Sequence, residues 1–89
     1  MSDREAAQKV LDALKQAERA PAQDGLPMLN ALIPLVQGGG EAPLEVEEAR
    51  ASAFLAICEV GKALHRGQPV EGLYAMAITA TQRWLALAG

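Results

Sequence analysis

The sequence predicts an all-α fold, and three observations carry that prediction. Apolar residues recur at helical spacing along three long segments, and residues suited to starting or stopping a helix stand at the ends of those segments. The few β-branched residues nowhere alternate with polar ones over a useful length. No internal repeat at a helical-hairpin period is present. The expected architecture is one helical domain over residues 1–89, a small bundle with long helices at about 3–19, 43–66 and 69–88 and a short, proline-interrupted helix at about 26–36.

Ser2 followed three residues later by Glu5 forms a capping box, in which each side chain satisfies an otherwise unpaired amide, so the first helix begins there. At 100° per residue, Ala6, Ala7, Val10, Leu11, Ala13, Leu14 and Ala17 fall on one side, and charged and amide residues on the other. An alanine-rich stripe lets another helix come close but contributes little area per contact. Ala20 to Asp24, with Pro21, reads as a break.

The stretch from Leu26 to Val36 packs seven large apolar side chains into eleven positions without a charge, so it requires burial. Pro27 suits a first helical turn, whereas Pro34 removes the amide that would bond to the carbonyl of Asn30 and so kinks or ends the helix. Gln37 and the glycines Gly38, Gly39 and Gly40 read as a flexible connector.

Pro43 suits the start of the third segment, where Glu41, Glu45, Glu47 and Glu48 complement the positive end of the helix dipole, and Gly67 suits its end. Val46, Ala53, Phe54, Ile57, Val60, Gly61 and Leu64 share its apolar face. Arg50 projects into the middle of that face. Pro69 and Val70 open the last helix, whose seam of Val70, Leu73, Ala77, Ala80, Trp84 and Leu87 is flanked by Tyr74, Ile78 and Leu85 on one side and Met76 on the other. This apolar arc spans roughly 200°. Either the helix lies centrally, or a second subunit covers it.

Composition narrows the classes of function. Hydrophobic residues make up 51% of the chain and charged ones 21%, which excludes disorder for most of its length. A net charge of −3, with the eight basic residues scattered among eleven acids, argues against nucleic acid as a partner. Cys58 is the one cysteine, which excludes a disulfide scaffold and a cysteine-rich zinc site. No signal-peptide pattern opens the chain, and its longest uncharged stretch is too short and too interrupted by proline and glycine to span a membrane. A cytoplasmic protein without a membrane role is the expectation.

Each chemically suggestive residue has an ordinary structural explanation. The glycine run lacks a following lysine and faces acids, so it reads as linker rather than phosphate cradle. Glu41, Glu45 and Glu48 share a face, but without an accompanying histidine they read as solvated acids rather than metal ligands. His65 stands in a last turn, where a cation complements the dipole, rather than mid-helix as a phosphoacceptor. Cys58 has no histidine three or four residues away to act as its base. No cofactor or metal is implied.

Arg50 is the sharpest local feature, because a guanidinium in an apolar face needs an acid or several carbonyls. Glu18, Asp3, exposed helix C-terminal carbonyls or a carboxylate of another subunit are candidate partners; otherwise Arg50 lies in water with only its stem packed. Leu73, Tyr74, Met76, Ala77, Ala80, Trp84 and Leu87 are the candidate interface residues. The expected function is that of a non-enzymatic interaction or regulatory module, self-associating as a dimer through the last helix. Two alternatives stand beside it. One is a bundle binding an acidic ligand among Met28, Phe54, Tyr74 and Trp84 with Arg50 as anchor; the other is a subunit docking on a different protein.

Overall fold

Ser2 starts the first helix as its spacing to Glu5 requires: its side-chain oxygen accepts the amide of Glu5 at 3.2 Å and its hydroxyl donates to the Glu5 carboxylate at 3.1 Å. The computed structural model describes residues 2–38 and 41–89, and among them every regular element is a helix. Five are present: α1 Asp3–Arg19, α2 Ala22–Asn30, α3 Ile33–Val36, α4 Leu44–Arg66 and α5 Glu71–Ala88. The fold is thus all-α, with the three long helices within two residues of the expected bounds.

The apolar middle segment departs from expectation. It forms two helices, and α2 begins at Ala22 rather than near Leu26. Pro21 initiates it, and its carbonyl accepts the amides of Asp24 and Gly25 at 2.9 and 3.2 Å. Pro27 consequently lies inside the helix instead of in its first turn. Gly25, which reads locally as a breaker, is buried where a Cβ would stand 3.2 Å from both Leu64 and the Tyr74 hydroxyl, so its lack of a side chain lets α2 settle against α4 and α5. The chain turns at Ala31 and Leu32, as the missing amide of Pro34 demands, and Pro34 sits in the first turn of α3.

At the other end of the bundle, Gly67 closes α4 in the left-handed conformation, and the amide of Gln68 returns to the carbonyl of Ala63 at 2.8 Å. The tight stop sends α5 back along α4. α5 packs most extensively on α4 and next on α1, while α2 and α3 cross the remaining side between α1 and α4. The core is built on Trp84, Leu14, Leu29, Ile57, Val10, Val36 and Val60, with Ala7, Ala53 and Ala77 where backbones approach closely. Thr81 is the one buried polar residue among those described, and its hydroxyl donates to the carbonyl of Ala77 at 2.8 Å, so burial leaves it satisfied. The radius of gyration, 12.2 Å, matches the roughly 12 Å expected for a folded chain of this length.

Candidate functional site

Arg50 is held inside the chain. Its side chain is 12% exposed; one guanidinium nitrogen donates to the carbonyl of Val36 at 2.6 Å, and the other forms an ion pair with Glu47. Of the partners expected for it, a helix C-terminal carbonyl is the one realised, at the end of α3. Glu47 was not among them. The signal was nevertheless in the sequence, because residues three apart on a helix are surface neighbours. Glu47 also accepts the amide of Ala42 at 3.4 Å, so the pair ties the end of α3 and the entry of α4 together. Gly38 completes the arrangement: with φ at +27° it lies beneath the guanidinium, and a Cβ there would meet Arg50 Nε at 2.5 Å. Gly38 is thereby a packing position as well as part of a connector; Gly39 and Gly40 lie outside the described residues. Both terminal nitrogens are engaged within the chain and Nε is buried without a hydrogen-bond partner, so Arg50 serves as a strut of the fold.

The candidate interface residues divide. Tyr74, Ala77 and Trp84 are enclosed by their own chain, Trp84 completely, so they are unavailable as anchors for a partner. The reason is that α1 and α4 close over one side of α5, covering the part of the seam that a short chain was expected to leave open. Leu73, Ala80 and Leu87 are half-buried against this core. Met76 alone of the set is well exposed, at 64%. Of the residues expected to line a ligand pocket, Tyr74 and Trp84 are buried in the core and Met28 and Phe54 are half-buried against it. The Tyr74 hydroxyl and the Trp84 indole N–H are buried without a hydrogen-bond partner. Burial raises the Tyr74 pKa, with a further upward push from the nearby Glu18 carboxylate.

Among the described residues, two open grooves flank α4 on different faces. The first, of about 480 Å³, runs between α4 and α5 with Ala49, Ser52, Thr79 and Ala80 along it, Met76 on its flank and Arg83 lining it as well. Glu45, Glu48 and Arg83 line a smaller adjoining hollow. The second, of about 470 Å³, lies between α4 and the α2–α3 corner. Cys58 and His65 both line it, but seven residues of helix separate them by about 10 Å along the axis, too far for direct proton transfer. No group of acids, cysteine and histidine among the described residues converges on a common metal position, and no helix among them is long and apolar enough to cross a membrane. Comparison with family models, curated proteins and solved structures returns no match.

Proposed function

We infer that the protein is a non-enzymatic helical interaction module of the cytoplasm, self-associating as a dimer through the α4–α5 groove. The observation that carries this reading is Met76, a flexible apolar side chain 64% exposed beside a groove of small residues. Small residues matter because they let a second helix approach closely enough to bury the methionine. Leu55, 67% exposed, lies one helical turn on from Ser52 and extends the apolar surface along α4.

A second copy is favoured as occupant by charge. A two-fold contact must be complementary to itself. The face carries Arg83 beside Glu45 and Glu48 at one end of the groove, so a two-fold copy brings Arg83 of each chain toward these acids of the other. The single thiol, Cys58, without a disulfide partner, supports a reducing compartment.

Light scattering together with melting at increasing protein concentration tests the reading. The wild-type chain is expected to be a dimer whose melting temperature rises with concentration. Met76→Glu, on an exposed position, is expected to give a folded monomer with a concentration-independent melt. A wild-type monomer at every concentration up to its solubility limit removes the proposal.

A further inference from the structure

The second groove combines an apolar floor with a cationic end. Leu26, Leu29 and Ile33 from the α2–α3 corner face Ile57 and Gly61 of α4, and Lys62, His65 and Arg66 line the end toward the C-terminus of α4. No acid lines it. Glu59 is paired with Lys62 at 3.3 Å on an exposed surface, whereas among the described residues no ion pair engages His65 or Arg66. Along α4 the lining runs from Ile57 to Arg66, about 13 Å. Its volume, about 470 Å³, falls within the range of sites for small organic ligands, roughly 300–1,000 Å³.

We propose that this groove binds a medium-chain fatty carboxylate, the alkyl chain lying over the half-buried Leu26, Ile33, Cys58 and Gly61 and the carboxylate meeting Lys62, His65 and Arg66. The separation of apolar and cationic surface along one helix requires both halves of such a molecule. An inorganic anion has nothing to place on the apolar floor, and a neutral alkane nothing to give the cations. The carbonyl end of α4 repels an anion, so the charge contact rests on the three side chains. Complementing that helix end is the other use of these cations, and it predicts no affinity for a carboxylate. The site is on a different face of α4 from the Met76 groove and does not depend on self-association.

Amide NMR shifts of the full chain, titrated with sodium dodecanoate below its micelle concentration, test this. Saturable shifts at Leu29, Ile57, Cys58 and Gly61 are expected, with affinity rising by up to about fourfold for each methylene added from octanoate to dodecanoate. Changing Lys62, His65 and Arg66 together to glutamine, all on exposed positions, is expected to weaken dodecanoate at least tenfold and leave the weaker binding of dodecanol unchanged. Gly61→Leu, which fills the floor where a Cβ already reaches Leu26 at 3.7 Å, is expected to block both ligands. If Gly61→Leu does not fold, the surface triple variant still decides. Absence of saturable shifts, equal affinity for dodecyltrimethylammonium, or equal affinity for inorganic phosphate each overturns the proposal. So does binding confined to anionic phospholipid vesicles.

Discussion

At the residue scale, Arg50 and Gly38 form one unit. The guanidinium is fastened to Val36 and Glu47, so it has little freedom to retreat from a side chain at position 38. Gly38→Ala therefore combines left-handed backbone strain with a collision and is expected to cost about 2–3 kcal/mol in urea unfolding. Gly67→Ala is the control. It has φ at +67° but nothing within 4 Å of the added Cβ, so strain alone applies and about 1 kcal/mol is expected. Equal losses at the two positions would contradict the strut. Tyr74 makes a different residue-scale prediction. Its hydroxyl is buried without a partner, so Tyr74→Phe removes a desolvated polar group and no hydrogen bond, leaving stability at pH 7 unchanged or slightly raised. Because the folded state holds the phenol proton more tightly than the unfolded chain, the Tyr74 contribution is pH-independent below the ordinary value near 10 and falls as pH rises beyond it toward the raised folded value. The part of the alkaline loss that comes from this residue is expected to vanish in Tyr74→Phe, as urea unfolding from pH 9 to 11 would measure.

At the scale of elements, α2 shows how a short helix survives unfavourable local residues. Its hydrophobic positions and its packing against α1 and α4 outweigh Gly25 and Pro27. Pro27 is exposed and lacks the amide that would bond to the carbonyl of Gln23. Pro27→Ala is therefore expected to stabilise the protein by about 1 kcal/mol, less than the roughly 3 kcal/mol helix-propensity difference because the unfolded chain regains freedom. A loss of stability in thermal melts would show that the proline ring packs usefully. The long helices were legible because each carries start and stop residues around a sustained apolar stripe. The start of α2 was not, because Gly25 signals a break by propensity and is instead required by the closeness of Leu64 and Tyr74, residues about 40 and 50 positions away.

At the scale of the whole molecule, the packing of α1 and α4 on one side of α5 divides its apolar surface. Trp84 is completely enclosed and Met76 is left outside, although both belong to the same helix and the same apolar arc. Their substitutions should therefore diverge. Trp84→Ala, which empties the largest fully buried position, is expected to cost about 3–5 kcal/mol, a large share of the roughly 4–13 kcal/mol that a chain of this length commands. Met76→Glu should leave the unfolding free energy of the monomer nearly unchanged. Comparable destabilisation of the monomer by both would mean that the arc is not divided as described.

The sequence by itself determined the helical class, the three long elements and the presence of a charge that had to be paired, since these follow from periodicity, capping residues and the cost of burying a guanidinium. Tertiary structure decided which helices closed over α5, which carbonyl and carboxylate received Arg50, and which part of the apolar arc of α5 stayed exposed. Helix spacing specifies the face a residue occupies; only the arrangement of the other helices specifies what that face meets.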